Sequence, residues 1–262
     1  MFCGMTGLGD HLRIRFPDDV DGLSPNAGLF WHKLLEEVPE VTTPDTEFVG
    51  MWMSDDLHGP NDFGVRWDTD AVEQAVERVG GFPAFVRTEF TSSKHDFKDA
   101  SVIASPDEID ETIHQLIQEP VQRMIPVGCL MIREYLDLDS YFTAFRGELP
   151  IGPEIRFFID DEVVCSHPYW EPDAIKDPSS REWRGRLKAA NDVVREEASD
   201  VAPKAERVAE LLTSEYPDAP PMSVDFARTN DGEWYAIDMA HAGTTHHPGD
   251  CKHEEEFPDP RR

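Results

Sequence analysis

The stretch from Met222 to Ala240 constrains the fold most, because it has the pattern of a β-hairpin with one acid on each strand. It reads MSVDFARTNDGEWYAIDMA. β-branched and aromatic residues lie on both sides of an Asn-Asp-Gly turn, and this combination is a strong short-range signal for a hairpin. Asp225 and Asp238 stand among apolar neighbours, one on each strand. We therefore predict that two carboxylates lie side by side on neighbouring strands.

Paired carboxylates indicate a metal site. A close, half-buried pair repels itself and takes up protons unless a cation lies between the two groups. Carboxylate oxygens suit a hard ion such as Mg²⁺, which keeps several waters and takes further oxygens from a substrate phosphate. We predict that Asp225 and Asp238 bind Mg²⁺. The alternative is a pair of solvated acids on the exposed face of a hairpin in a very acidic protein.

Length and charge narrow the class of protein. The chain has 262 residues, 39% of them hydrophobic, which is enough for one large or two small domains. Its net charge of −29 comes from 53 acids and 24 bases, and the acids are spread along the whole length. Such a surface fits high salt, where screening removes the self-repulsion, so we expect a halophilic origin. The same charge argues against nucleic-acid binding through the general surface, because phosphate neutralisation needs Lys and Arg.

The chain carries no sign of a membrane or an oxidising compartment. It lacks an apolar run long enough to span a bilayer, and residues 1–16 lack the apolar core of a signal peptide. We expect a cytoplasmic protein, of a halophilic cell or of the host if a virus encodes it, with no membrane partner. The four cysteines show no paired spacing, which argues against a disulfide framework or a four-cysteine zinc site. They are Cys3, Cys129, Cys165 and Cys251.

The C-terminal part is rich in histidine. Read as a zinc cluster, its members would be His241, His246, His247, Cys251 and His253. The adjacency of two of these histidines and the acidic, Pro-rich surroundings favour a flexible tail instead.

Basic residues stand out in the middle of the chain, because lysine is scarce elsewhere. A strand predicted over Phe82–Phe90 carries Arg87, and the polar loop Thr91–Asp99 holds Lys94 and Lys98 among hydroxyl residues. Arginine forks two phosphate oxygens and lysine acts as a point charge, so this stretch can wrap a phosphate. It lacks the glycines of a Walker loop. The alternative is a solvated turn with ordinary surface lysines.

Two further predicted strands carry polar groups. The strand Cys129–Leu136 runs into Glu134 and further acids, which could meet an adenine edge and a ribose hydroxyl. Glu154, Arg156 and Phe158 alternate along another strand and share one face, from which the arginine could reach a phosphate. The alternative for this arginine is a structural pair with Glu154. The mixed order of strands and helices predicts an α+β or α/β fold.

The order of these pieces resembles the ATP-grasp superfamily, an α+β fold that binds ATP between two lobes. The family landmarks are a basic strand, a basic loop, a hinge strand ending in Glu, an Arg-bearing strand and two acids on neighbouring strands. The segment Glu154–Phe158 looks like the Glu-x-Arg-x-Phe strand of one branch. That branch includes the eukaryotic translation-initiation-factor assembly chaperone and phage and archaeal relatives. The resemblance covers residues 81–245.

The resemblance implies a role for each matching residue. Asp225 and Asp238 would hold Mg²⁺, and Arg156 and Lys94 would be catalytic. The residues implied in ATP binding are Arg87, Lys94, Lys98, Glu134, Tyr135, Leu136, Asp137 and Arg156, with Asp139 as a second candidate for the ribose.

The resemblance also implies a division of the chain and an activity. Residues 1–80 would precede the ATP-grasp domain, residues 81–133 and 134–245 would be its two lobes, and residues 246–262 a loosely ordered tail. The family reaction activates a carboxylate as an acyl phosphate with ATP, and an amine then forms an amide while ADP is released. The carboxylate and amine are unknown, and a peptide or protein end is one candidate.

Three positions depart from the superfamily pattern. Arg87 stands where Lys is general, Asp238 where Glu is common, and Ala240 where an Asn metal ligand is usual. The missing ligand puts a second metal position in doubt, unless His241 or the Thr244–Thr245 pair replaces it. Two other functions stay open at this point. One is an assembly chaperone that binds ATP without condensing anything, and the other is a metal-dependent nuclease that uses only the two aspartates.

Overall fold

The computed structural model describes residues 27–56, 63–91, 97–146, 148–249, 251–253 and 255–257, without the side chains of residues 97 and 98. The described residues divide into two compact units. The N-terminal unit contains residues 45–135, and the C-terminal unit contains residues 27–44 together with the chain from residue 136 onward.

Helices and strands alternate irregularly along the chain, as the α+β prediction requires. In chain order they are α1 (Gly28–Glu36), β1 (Thr46–Gly50), β2 (Trp52–Met53), β3 (Val65–Arg66), α2 (Thr69–Arg78), β4 (Ala84–Thr88), α3 (Phe97–Ser101), β5 (Val102–Ile103), α4 (Ile109–Gln122), β6 (Cys129–Glu134), β7 (Phe142–Ala144), β8 (Leu149–Ile151), β9 (Glu154–Ile159), β10 (Val163–Pro168), α5 (Trp183–Glu215), β11 (Met222–Arg228) and β12 (Trp234–His241). Among the described helices, none has the length and apolar composition to cross a membrane.

The N-terminal unit is built on an antiparallel sheet with the strand order β1-β6-β4-β5. Alternate residues of β4 and β6 join one core with the apolar residues of α2 and α4, among them Val86, Ile132, Val76 and Leu116. Helix α2 begins where the Asp68 carboxylate accepts the N–H of Ala71 at 3.2 Å, which satisfies one of the free donors of the first turn. Because side chains alternate along a strand, the residues between these core positions point to the opposite face.

The C-terminal unit is built on a second antiparallel sheet with the order β10-β9-β11-β12. Helix α5 packs against β9 and β10, and α1 packs against β12. Phe157 and Phe226 meet edge to face with ring centroids 5.9 Å apart, in the apolar interior. The predicted hairpin is confirmed: β11 and β12 pair along their length, and Gly232 takes the positive φ of 92° that the turn needs.

The N-terminal boundary of the sequence analysis does not coincide with the compact units. Strand β1 pairs with β6 over residues 46–50, so part of the predicted region 1–80 is a strand of the N-terminal sheet. A single sequence does not reveal this pairing, because the two strands are far apart along the chain. The division between residues 135 and 136 falls near the predicted lobe boundary at 133 and 134. As functional domains, the predicted segments stay a prediction.

The C-terminal tail also differs from the expectation of loose order. His247 and Phe257 are buried in the C-terminal unit, and the ring of Phe257 lies 5.3 Å from that of Phe158 on β9. Their apolar contacts fix this part of the tail on the sheet, which the polar composition of the segment concealed.

A close backbone approach at Gly152 gives a first test of the fold. A Cβ at this position would overlap the carbonyl oxygen of Asp139 and lie 2.9 Å from its carbonyl carbon. Because backbone cannot move aside as a flexible side chain does, Gly152→Ala should lower the free energy of unfolding by about 3 kcal/mol or more. The measurement is denaturant unfolding at high salt.

Gly185→Ala is the matched control. At Gly185, in the first turn of α5, an added Cβ would meet no described atom within 4 Å. This substitution should be neutral or stabilise the protein by up to about 1 kcal/mol, because it restricts the unfolded chain. Equal stability of the two variants would contradict the close approach.

Candidate functional site

Three charged residues lie in one row across the C-terminal sheet. Asp225 on β11 stands opposite Arg156 on β9, and on its other side opposite Asp238 on β12. Neighbouring strands are about 4.8 Å apart, so the row brings a guanidinium and two carboxylates together. The two acids predicted to be neighbours are therefore register partners. Their role as metal ligands stays a prediction.

A β-bulge determines the face on which Asp238 lies. The register of β11 and β12 shifts so that Asp225 faces Asp238 while Phe226 faces Ala236, which leaves Ile237 as an extra residue. In a regular strand, residues 236 and 238 would share one face. The bulge reverses the alternation and places Asp238 on the face of Asp225, opposite to the buried Ala236.

Arg156 and Asp225 form a buried ion pair. Arg156 donates from Nε to Oδ1 at 2.7 Å and from Nη2 to Oδ2 at 2.6 Å, and the two side chains are 12% and 3% exposed. Burial by itself disfavours the charged guanidinium, but the Asp225 carboxylate outweighs this effect and raises the pKa of Arg156. The sequence analysis named Glu154 as the alternative partner. The ion pair that the structure shows is with Asp225.

Two further contacts fix the guanidinium of Arg156. It lies over the ring of Tyr169, 4.5 Å from the centroid, and Nη1 donates to the carbonyl oxygen of His246 at 3.5 Å. A guanidinium has more N–H donors than these contacts use, so Arg156 can hold Asp225 and still donate to another anion.

The oxygen donors of this row fit Mg²⁺. A carboxylate oxygen that accepts one N–H bond keeps a further lone pair for a cation, so the ion pair leaves Asp225 able to bind one. Asp238 is half-buried and accepts the N–H of Met239 at 3.1 Å. With Arg156, the two acids carry one net negative charge, and oxygen-only ligands of this kind suit a hard divalent ion.

The opposite face of the N-terminal sheet carries two buried arginines. Arg87 on β4 is 6% exposed and Arg133 on β6 is 3% exposed. Arg87 stands opposite Met131 and Arg133 opposite Phe85, so the two arginines are diagonal neighbours. The sequence analysis named only Arg87. The alternation of β6 was the available signal, because it places Arg133 on the face away from the core residues Leu130 and Ile132.

An acid next to these arginines in sequence was also missed. Glu89, just after β4, accepts the N–H of Gly128 at 3.2 Å. Burial raises the pKa of Glu89, although the hydrogen bond from Gly128 offsets part of the shift.

The remaining predicted residues are placed only in part. Lys94 lies outside the described residues, and for Lys98 only the backbone, in α3, is described. The division between the units falls within the predicted hinge, since Glu134 and Tyr135 belong to the N-terminal unit and Leu136 to the C-terminal unit.

The predicted ribose contacts both have partners in the C-terminal unit. Asp137 is exposed and accepts from the side-chain amide of Asn230 at 2.9 Å. Asp139 accepts from Nη1 of Arg228 at 2.8 Å, and Arg228 also pairs with Glu197 at 3.1 Å. Their roles toward a nucleotide stay predictions.

The buried ion pair predicts a large and conditional effect on stability. Arg156→Met leaves the Asp225 carboxylate buried without its main cation, which should lower the free energy of unfolding by about 3–5 kcal/mol. Adding Asp225→Leu should restore much of that loss, because no buried charge is then left alone. Denaturant unfolding of the single and double variants measures the coupling.

Lys188→Met is the control for this cycle. Lys188 pairs with Asp192 one helical turn away, but the two side chains are 75% and 39% exposed. An exposed pair contributes at most about 1 kcal/mol, so this variant should change stability little. Equal losses in Arg156→Met and Lys188→Met would contradict the buried pair.

Several solved structures are similar to this chain in part. An N5-carboxyaminoimidazole synthetase from Staphylococcus aureus is 10% identical with a TM-score of 0.45, over 88% of this chain and 47% of that one. A D-alanine–D-alanine ligase from Helicobacter pylori is 10% identical with a TM-score of 0.41, over 82% and 50%. The ATP-grasp ligase PsnB with a minimal precursor is 12% identical with a TM-score of 0.40, over 82% and 51%. The chain thus spans about half the length of these structures.

Sequence comparison identifies the family. No curated protein sequence matches the chain. The model of an ATP-grasp domain, the third family of one clade of that superfamily, matches residues 78–256, which include every candidate site residue named above. The predicted α+β ATP-grasp fold is confirmed, while the predicted relation to the initiation-factor chaperone stays a prediction. The protein belongs to this family of ATP-grasp domain proteins.

Proposed function

We propose that the protein is an ATP- and magnesium-dependent carboxylate–amine ligase. The observation that carries the proposal is the row of Arg156, Asp225 and Asp238 on three neighbouring strands of a family member. A guanidinium next to two carboxylates can bind phosphate oxygens and a divalent cation at the same place.

The proposed reaction places the demand on charge. A substrate carboxylate oxygen forms a bond to the γ-phosphorus while the bond to ADP breaks, and an amine nitrogen then displaces phosphate from the acyl phosphate. Both steps build up negative charge on oxygen, which fixed positive groups stabilise because they need no reorganisation during the reaction. Bound Mg²⁺ would supply Lewis-acid neutralisation of phosphate oxygens.

The residues divide this work by type. Asp225 and Asp238 would hold the cation, and the ion pair with Arg156 keeps Asp225 ionised and oriented. Arg156 would also donate to the oxygens of the transferring phosphoryl group. Arg87 and Arg133, with Lys94 or Lys98, would neutralise the other phosphate oxygens.

The adenine and substrate sites are proposed more coarsely. Glu134, Tyr135 and Leu136 would meet the adenine, and Asp137 the ribose. The half-exposed Tyr135 offers a flat apolar ring of the kind that packs against a base. For the amine or carboxylate substrate, a peptide or protein end remains our candidate class.

Nucleotide binding is tested by thermal unfolding in molar KCl, which screens the net charge of −29. ATP with Mg²⁺ at about 100 times its dissociation constant should stabilise the protein by about 2.7 kcal/mol. GTP should stabilise it less. Asp238→Asn should lose most of the shift, because it removes one of the two cation ligands.

Asp161→Asn provides the matched control. Asp161 is exposed at the turn between β9 and β10, and the substitution makes the same change in charge on the same sheet. This variant should keep the full shift with ATP. A full shift in Asp238→Asn, or no shift in the unchanged protein, would contradict the proposed cation site.

Catalysis is tested by trapping the acyl phosphate. The protein is incubated with ATP, Mg²⁺, hydroxylamine and a panel of amino acids and short peptides. ADP and hydroxamate are then quantified by chromatography. We expect ADP release that depends on the carboxylate, and a loss of about 10²-fold or more in Asp238→Asn but none in Asp161→Asn. Tight ATP binding without turnover would contradict the ligase and favour the assembly chaperone. DNA cleavage with Mg²⁺ and without ATP would favour the nuclease.

A further inference from the structure

Four potential metal ligands from two distant parts of the chain meet at the edge of the C-terminal sheet. Cys165 and His167 are two residues apart on β10 and therefore share a face of that strand. His247 and Cys251 come from the tail. Each of the four residues offers one ligand atom, and these atoms all lie within 4.8 Å of one another.

The spacing of these atoms is close to that of a tetrahedral zinc site. With Zn–S bonds of about 2.3 Å and Zn–N bonds of about 2.0–2.1 Å, neighbouring ligand atoms lie about 3.4–3.8 Å apart. The Sγ of Cys165 is already 3.3 Å from Nε2 of His247. Since the widest separation is 4.8 Å, a contraction of about one ångström completes the tetrahedron.

The surroundings are those of a closed site. His247 is fully buried, and its ring lies edge to face with Phe158, with centroids 4.5 Å apart. Phe257 lies on another side, 5.9 Å away. The backbone N–H of His253 donates to Sγ of Cys251 at 3.5 Å. An apolar shell and an N–H bond to sulfur both support a thiolate ligand, because they exclude water and stabilise the charge on sulfur.

We propose that Cys165, His167, His247 and Cys251 bind one structural Zn²⁺ ion. Thiolate and imidazole are the ligands that zinc prefers, and four protein ligands leave no open position for a substrate. The ion would therefore act in folding rather than in catalysis. The proposal is independent of ATP binding and of the ligase reaction.

The zinc ion would fix the tail next to the charged row. His167 stands opposite Arg156, so the proposed ligand and the arginine occupy paired positions on β10 and β9. His246, adjacent to the ligand His247, accepts from Arg156 through its carbonyl oxygen and contacts Glu171 through its ring at 2.8 Å. Holding His247 thus holds the residue that touches Arg156.

Metal analysis of the untagged protein tests the proposal. The protein is expressed with zinc, purified in a reducing buffer without chelator, and analysed by mass spectrometry for metals. We expect one zinc ion per chain, and a loss of most of it in Cys165→Ser and in Cys251→Ser. Cys129→Ser and His246→Gln should keep it. The first of these controls changes a buried cysteine of β6, and the second changes a histidine of the tail outside the cluster.

A second measurement keeps the proposal testable if a cysteine variant does not fold. The unchanged protein is stripped of metal with a chelator and titrated with Co²⁺. One equivalent should give the strong visible absorption of tetrahedral, thiolate-bound cobalt and should slow proteolytic cleavage of residues 246–257.

Three results would overturn the proposal. A folded protein that holds no zinc and gives no tetrahedral cobalt spectrum would do so. Full zinc retention in both cysteine variants would place the metal elsewhere. A disulfide between Cys165 and Cys251 in zinc-free protein from the reducing preparation would show that the thiols serve another purpose.

Discussion

The ion pair between Arg156 and Asp225 holds the C-terminal sheet and its candidate site together. Both side chains are almost fully removed from water, so either one alone would leave a buried charge that costs several kcal/mol. Two parallel hydrogen bonds also fix the register of β9 against β11. The same pair decides the charge of the candidate cation site, because one of its two acids already has a permanent cation beside it.

The positive charges of the candidate site are withdrawn from an otherwise acidic surface. Arg87, Arg133 and Arg156 are buried or nearly so, although the chain has 24 bases against 53 acids. A buried guanidinium keeps its charge and is shielded less by salt than an exposed one. Such groups can bind phosphate in concentrated salt, where exposed lysines would be screened. This supports both the expected halophilic origin and the proposed binding of ATP.

One row of the C-terminal sheet links the two proposals. Across the strand order β10-β9-β11-β12, His167, Arg156, Asp225 and Asp238 stand opposite one another. The first would bind a structural ion, and the last two a catalytic one. Different ligand chemistry keeps the two ions apart, because thiolate and imidazole select zinc and carboxylates select magnesium. A structural ion near one end of the row would limit the movement of Arg156 through the tail that contacts it.

Features with local signals could be predicted from the residues alone. The hairpin of β11 and β12 follows from alternating apolar residues around Asn-Asp-Gly, and the order of motifs pointed to the ATP-grasp superfamily. Which distant residues meet became clear only from the folded chain. Arg156 binds Asp225 rather than Glu154 alone, Arg133 joins Arg87 on one face, and the tail brings His247 and Cys251 to β10. Each of these depends on strand register, and a single extra residue such as Ile237 reverses the face of every side chain beyond it.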